Sequence, residues 1–421
     1  MVIIMKKYDL VVVGGGFSGV AAAVAASRDG LSVILVEKAG SLGGAMSNCL
    51  VYPFMNFWTN DPDTKERKYL SCGIFTEMRK RQMLLNPEAK EFTFNPEYFK
   101  MALDELCEDA GVDILFHAAL YDVTVADKKI TSIKVIAGSK KTEIEADFFI
   151  DATGDGNLFY LAGCDFALGR ASDGLCQPMT TCFRMCGVDT DSLKKENSKL
   201  QALYKNYKEN GNIKNPREDV LMFYGIGPGI VHFNTTRIVK LDPTNPFDVS
   251  KAEIEARRQI IEMIAFLKEN INAFKNSDLI SVASDIGVRE SRKLKGLHIL
   301  TEEELKNCTR FEDSIALGNY DIDIHNPAGS GTSHYYFKDG EYYTIPYRSL
   351  LSKEFDNLLV AGRCISATHE AQASIRIMPI CACLGEAAGT AAATAKNTGT
   401  TAHSVDIKKI QKRLKEKGAE L

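Results

Sequence analysis

No stretch of the chain constrains its fold more than Tyr8 to Glu37. Tyr8–Val13 is a strand-like, β-branched run of the kind buried on both faces in a parallel sheet. The turn Gly14-x-Gly16-x-x-Gly19 comes directly after it, and Ser18–Arg28 is Ala- and Val-rich and reads as a helix. Gly30 ends that helix, and Ser32–Val36 reads as a second buried strand. Each glycine has a physical task. Gly14 allows the tight turn, Gly16 lets backbone approach a pyrophosphate, and Gly19 lets helix and strand pack closely. The helix N-terminus then offers free N–H groups and a positive dipole to phosphates. Glu37 ends the second strand, 23 residues after Gly14, where a carboxylate accepts the hydroxyls of an adenosine ribose and repels a 2′-phosphate. A bare glycine pattern is weak evidence. Between strand and helix, with the acid at this offset, it is specific for a dinucleotide.

The residues after Glu37 favour a larger, bent dinucleotide over NAD. A second glycine patch, Gly40-Ser-Leu-Gly43-Gly44-Ala45-Met46, suits backbone contact with it. Asn95-Pro96 opens a helix through Asp109 that stops at Gly111. A β-meander is expected next, built from Val112–Phe116 with Leu120–Val125, then Ile130–Ala137, then Thr142–Ile150, and leading into Asp151-Ala-Thr-Gly-Asp-Gly156. From about 165 to 345, helices (Ser192–Glu209 and Lys251–Asn272) alternate with strand-like runs. Those runs are Gly229–Ile238 and His334–Tyr343, the latter turning at Lys338-Asp-Gly340. Gly225-Ile-Gly227-Pro-Gly229 precedes a strand-like run and not a helix, so it is read as a turn and not as a second nucleotide site. Near the end, Asn357–Ala361 reads as a buried strand, a helix begins near Pro379, and a last helix covers about Val405–Lys417.

Composition sets outer limits. The 421 residues carry 51 Lys and Arg against 55 Asp and Glu, so no basic surface points to nucleic acid. The 11 cysteines are odd in number and scattered. Cys182-x-x-x-Cys186 and Cys381-x-Cys383 have no matching pairs, so no metal is expected. Lys6-Lys7 come after the apolar Met1–Met5 instead of preceding it, unlike a secretory leader, and Cys381–Ala395 is too short and small-residued to span a bilayer. The expectation is a reduced cytoplasmic protein with no membrane or nucleic-acid partner.

Four segments together carry a resemblance. They are Gly14-Gly-Gly-Phe-Ser-Gly19, then Glu37 through Gly43-Gly44, then Asp151-Ala-Thr-Gly-Asp-Gly156, and last the C-terminal stretch. That stretch holds Ile345-Pro-Tyr-Arg348, Asn357–Arg363, Ser366–Arg376 and Gly385-Glu-Ala-Ala-Gly389. The chain resembles FAD-dependent oxidoreductases with the glutathione-reductase-type FAD fold, and is similar to the flavin module of heterodisulfide reductase. The resemblance implies an α/β fold with a three-layer, Rossmann-like FAD-binding domain assembled from 1–164 and 346–421. An α+β substrate or cap domain, 165–345, is inserted in it. It also implies FAD on Gly14, Gly15, Gly16, Phe17, Ser18 and Gly19 at the pyrophosphate, with Glu37 and Lys38 at the ribose. Gly43, Gly44, Ala45 and Met46 would run toward the flavin, Leu120 would meet the adenine, and Ala152, Thr153 and Gly154 would close the adenosine side. Ser374 and Ile375 lie on the flavin-facing loop. Gly362-Arg363 departs from the pattern of many relatives, where an acid binds the ribitol; Arg363 is expected to reach a phosphate. The helix near Pro379 should aim its positive end at the flavin.

By the same resemblance, a small-molecule substrate would sit between the flavin and the inserted domain and exchange two electrons at flavin N5. His369 is the candidate to move a proton and Arg376 the candidate to bind a carboxylate or stabilise negative charge. Arg289, Arg292, His325, His334 and Tyr335 are candidates for the roof. Cys49 stands just after the glycine patch without the partner cysteine that a flavin disulfide reductase carries. The alternative is the flavin subunit of a larger electron-transfer complex whose partners supply clusters. A homo-oligomer is equally compatible with the sequence.

Overall fold

The computed structural model describes residues 4–421; Met1–Ile3, the apolar start of the chain, lie outside the described residues. Strand β1 (Ile4–Val13) leads through the glycine turn into α1 (Phe17–Arg28) and returns as β2 (Val33–Val36), paired parallel to β1 from Leu10↔Val33 to Val13↔Val36. A short hairpin, β3 (Trp58–Asn60) with β4 (Arg67–Tyr69), precedes α2 (Ile74–Leu85) and α3 (Pro96–Ala110). Helix α3 starts and stops where the sequence indicates. The Asn95 side chain accepts from the Glu97 N–H, and Gly111 ends it at φ +77°.

The meander is shorter than expected at its start. Asp113–Leu115 forms a separate strand, β5, which pairs parallel to β2 and extends the first sheet. His117, at φ +54°, breaks the chain away before β6 (Ala118–Ala126) begins. Strands β6, β7 (Lys129–Ala137) and β8 (Lys140–Asp151) then run antiparallel, and β8 lies parallel to β1 up to Val13↔Asp151.

Beyond β8 come α4 (Asn157–Ala162) and β9 (Phe166–Leu168), then β10 (Phe183–Cys186), α5 (Thr190–Glu209), β11 (Met222–Phe223) and β12 (Val231–Phe233). Next are α6 (Pro246–Asn270) and β13 (Asp278–Val282). Strands β11-β12-β10-β13 make an antiparallel sheet. Helix α6 starts five residues before the expected Lys251, because Asn245-Pro246 repeats the Asn95-Pro96 start signal. The expected strand Gly229–Ile238 is regular only over β12. Ile238 turns aside to pair with Met179 in an isolated bridge. A second apolar core, including Phe183, Val231, Tyr204 and Phe266, fills the space between this sheet and α5 and α6.

The chain continues with β14 (Arg292–Leu294), paired to β9, then α7 (Glu302–Lys306), β15 (Ser314–Gly318), β16 (Ile322–His325), β17 (Thr332–Tyr335) and β18 (Tyr343–Pro346). The expected hairpin His334–Tyr343 does not form. β17 pairs with β16 and β18 with β15, because alternation marks a strand without naming its partner. Side chains from this part, among them Leu294, Ile315 and Tyr343, join the first core around β1, β2 and β8. Strand β19 (Leu358–Val360) then adds parallel to the end of β8, and α8 (His369–Ile375), α9 (Met378–Thr398) and α10 (Ile407–Glu416) complete the fold. Among the described residues no single helix is long and apolar enough to cross a membrane.

Candidate functional site

The glycine turn is built by close backbone contact. Gly14 sits at φ +103°, and a Cβ there would overlap the carbonyl oxygen of Ala152 at the end of β8. A Cβ on Gly19 would overlap the Gly14 carbonyl, so helix and turn meet without room for a methyl group. The second glycine patch is folded onto the first. The Gly43 N–H donates to the Gly15 carbonyl at 2.8 Å, and the Gly44 backbone packs on Gly16. Glu37 is buried; its Oε2 accepts from the Gly15 N–H at 2.5 Å and its Oε1 from the Ala39 N–H at 2.8 Å. Leu120 lies two residues beyond Ala118, whose N–H donates to the Glu37 carbonyl. His117 packs against Gly40 at the same end, a neighbour that no spacing rule points to.

Two helix N-termini converge on this turn. Cβ atoms on Gly385 and Gly389 of α9 would overlap the carbonyls of Ser18 and Ala22 of α1, so the helices lie in parallel at backbone contact. Gly385 is seven residues into α9 whereas Ser18 is one residue into α1. The start of α9 therefore projects six residues, about 9 Å, past the start of α1. Neither N-terminus has a side-chain cap or an acid in its first turn, which leaves N–H groups and dipole for a ligand. The first start suits a pyrophosphate and the second a ring beyond it. The Phe17 ring itself turns away into an aromatic cluster with Phe54 and Phe99. Met46 is buried and Ala45 exposed.

The loop after β8 closes the site. Asp151 is fully buried and accepts from the N–H and hydroxyl of Thr153 and from the Phe159 N–H, all at 2.7–3.0 Å. Thr153 is thus occupied in shaping the loop around Gly154. Residues 9–414 match the family described as FAD dependent oxidoreductase. The chain belongs to that family. Its cofactor is FAD. A stretch of 156 residues is 31% identical to the mitochondrial dihydrolipoyl dehydrogenase of Schizosaccharomyces pombe, covering 35% of this chain and 28% of that one. Another of 199 residues is 27% identical to digeranylgeranylglycerophospholipid reductase 1 of Methanococcoides burtonii, covering 44% and 46%. The chain thus matches less than half of the length of either relative. Among solved structures, a geranylgeranyl bacteriochlorophyll reductase-like protein from Thermoplasma acidophilum aligns with a TM-score of 0.47 at 14% identity, over 98% of this chain and 83% of that one.

The residues fit the cofactor that this FAD-dependent oxidoreductase uses. The glycine cradle, the buried Glu37 and the two uncapped helix starts would supply a pyrophosphate seat, a ribose acceptor and a positive end for the flavin. Arg363, expected at a phosphate, has its guanidinium held by Asp155 Oδ1 at 2.7 Å and by Ser291 Oγ at 2.8 Å. Burial pushes the Asp155 carboxyl up, but the Arg363 charge outweighs it and holds the group below its ordinary range. Asp155 and Ser291 belong to the site, and no spacing rule singles them out. Lys38 is exposed and 3.9 Å from Asp285.

Around α8 and its link to α9 the oxidoreductase gathers charge. His369 starts α8, with Nδ1 2.7 Å from Oε2 of Glu290, and Glu290 also takes the Lys293 ammonium and the Gln177 N–H. Burial raises the Glu290 carboxyl, yet His369 and Lys293 bring it below the ordinary value. Arg376 lies in the tight link between α8 and α9, which meet at 94°, and its Nη2 is 3.4 Å from Asp323. Ser374 bonds the Tyr343 hydroxyl at 2.6 Å, and Ile375 is buried. Arg289 donates to the Pro178 carbonyl, Thr180 and Asn234, with no carboxylate within 4.0 Å among the described residues. Burial and the nearby Arg376 bring its guanidinium down to about 9. His325 and His334 both approach Asp323, and burial drops His325 to about 3. Arg292 goes elsewhere, stacking over Tyr160 at 4.0 Å, and Tyr335 is exposed on β17. Cys49 lies 3.6 Å from the Ile286 carbonyl, and burial pushes its thiol up to about 12. All 11 cysteines are unpaired.

Proposed function

We propose that this FAD-dependent oxidoreductase moves two electrons between flavin N5 and a small organic substrate held between the flavin and the 165–345 segment. When bound, FAD supplies the hydride chemistry at N5. The observation that carries the reading is the Arg289–Arg376 pair beside the start of α9. Two cations with Asp323 as their neighbouring acid make a place where negative charge on a substrate is stabilised. The dipole of α9 favours electron density on the same side. With His369 Nδ1 turned to Glu290, its Nε2 is the nitrogen left to hold or move a proton.

The test is anaerobic flavin bleaching by a panel of small acids, alcohols, amines and enones. Arg376→Ala and His369→Gln should slow bleaching by about 10- to 100-fold with flavin still bound. Bleaching by no member of the panel, or unchanged rates in both variants, would sink the proposal.

A further inference from the structure

The sheet β11-β12-β10-β13 has two unlike faces. Phe183 and Met185 of β10, with Val231 and Phe233 of β12, point into the second apolar core. Side chains alternate along a strand, so Arg184 and His232 point the other way. They are directly opposite each other in the ladder, with Phe223 across from His232 and Ser281 across from Arg184. One transverse row therefore reads Phe223, His232, Arg184, Ser281.

Every polar side chain in that row is buried or half-buried, and unpartnered. Arg184 is 7% exposed, and its Nε and Nη2 meet no acceptor. His232 is 0% exposed, and neither ring nitrogen has a partner; the Ser281 hydroxyl has none either. Among the described residues Arg184 forms no salt bridge, and Glu97 is the carboxylate whose charge reaches it from a distance. The contrast with Arg289 is informative, because that arginine spends its donors on a backbone carbonyl and two side chains. A buried guanidinium with nothing to bond is unfavourable unless an anion arrives. Aromatic rings pack against the imidazole. The Tyr52 ring stands edge-on to His232 at 5.5 Å, fixed by its hydroxyl on the Tyr224 carbonyl at 2.7 Å, and Phe223 lies 6.1 Å from His232 and 6.5 Å from Tyr52 in the same aromatic cluster.

The row is also continuous with the redox end. Asn234 lies two residues after His232, about 7 Å along the chain in extended form, and accepts from Arg289. We infer that Arg184 and His232 form a carboxylate-binding subsite, so that the substrate is a small organic acid. Its carboxylate is held on the sheet and its reacting carbon is directed toward Arg289 and Arg376. The guanidinium offers two parallel donors that match a carboxylate, and the neutral imidazole adds a third from the side. This inference rests on the proposed redox reaction for the direction of the ligand, but not for its binding.

The experiment measures binding of acetate, benzoate and succinate to the flavin-loaded protein, by titration calorimetry and by melting temperature, with benzamide as the uncharged control. Wild type should bind at least one acid and ignore benzamide. Arg184→Met should weaken that acid about 10- to 100-fold, and Arg184→Lys should recover part of the loss. Arg184→Met without ligand should melt higher than wild type, because a buried unpaired charge has gone, whereas an arginine with a structural role would lower it. His232→Gln, which keeps size and polarity, should weaken the acid by a smaller factor. Binding of no acid by wild type, or equal binding by Arg184→Met, overturns the inference. Acid binding lost in Arg184→Met while no acid bleaches the flavin leaves the subsite standing and fails the redox reading. Bleaching by acids that is indifferent to Arg184 does the reverse.

Discussion

The two ends of the site are made of different materials. At the dinucleotide end the contacts are backbone on backbone: Gly14 on Ala152, Gly44 on Gly16, Gly385 on Ser18. At the end proposed for the substrate they are charged side chains drawn from distant segments, as in Glu290 with His369 and Lys293, or Asp323 with Arg376 and His325. A backbone-built region tolerates changes of charge but not an added methyl group. A charge-built region tolerates changes of shape better than the loss of one partner. The difference comes from what each end must do. A pyrophosphate is fixed by N–H groups that any residue carries if it can come close enough, whereas substrate chemistry needs groups that titrate or carry charge.

The largest effect should come from the smallest addition at the backbone-built end. Gly19→Ala and Gly385→Ala each place a methyl carbon inside a main-chain carbonyl, and no flexible side chain can give way. Ordinary overpacking costs about 1–3 kcal/mol, and these should exceed it. Purified variants should be colourless or melt well below wild type. A yellow, normally melting Gly19→Ala protein would break the comparison.

Next should come the removal of one partner at the charge-built end. Lys293 and Glu290 are 1% and 0% exposed. Lys293→Met leaves His369 as the one side chain beside the buried Glu290 and should cost about 3–5 kcal/mol in denaturant unfolding. The sign with pH is set by the depressed Glu290 carboxyl. Its contribution is present above the ordinary glutamate range and is lost as pH falls through the folded value, so wild type should lose more stability on acidification than Lys293→Met. Parallel acid curves would show that the pair contributes nothing.

What is legible in the sequence divides along the same line. The glycine turn, Glu37, the α3 caps and the α9 start can be read directly, because backbone geometry restricts which residues can stand there. Val112–Phe116 reads as part of the meander but joins the other edge of the sheet, because one positive φ at His117 decides where the segment pairs. Asp155 and Asp323 cannot be read as partners. Asp155 meets Arg363 across 208 residues of chain, and Asp323 meets Arg376 across 53, through segments with no fixed spacing. Glu290 meets His369 in the same way, from another element. Arg184 and His232 leave a trace that can be used: a charged or polar residue standing between two core positions of a strand, in Phe183-Arg184-Met185 and Val231-His232-Phe233.

A smaller effect is expected at Glu386, where the two materials meet on α9. Its Oε2 accepts from the Ile74 N–H at 2.9 Å at the start of α2, and its Oε1 has no partner. Burial raises its carboxyl from 4.5 to about 7. A raised carboxyl stabilises the folded state only while protonated. That contribution is complete below the ordinary value and is lost as pH rises through about 7. Glu386→Gln keeps the acceptor for Ile74 and cannot ionise. It should match wild type near pH 4 and be more stable by about 1–3 kcal/mol at pH 8.5. Equal stability of the two proteins at pH 8.5 would mean that the carboxylate is solvated or paired after all.

The smallest effect should be at Cys49. It stands beside the glycine patch, where a redox thiol would have to be, yet its environment is that of a packed side chain. Its Sγ faces the Ile286 carbonyl, and the Gly287 backbone packs against it. A thiol pushed up to about 12 holds almost no thiolate at neutral pH, and thiolate is the form that attacks or exchanges. Cys49→Ser should therefore leave flavin content and bleaching rates within about twofold of wild type. Iodoacetamide at pH 7.5 should label Cys49 in the unfolded protein and spare it in the folded one, read by peptide mass. Rapid labelling of the native thiol would move Cys49 from packing into the chemistry, and with it the boundary between the two ends of the site.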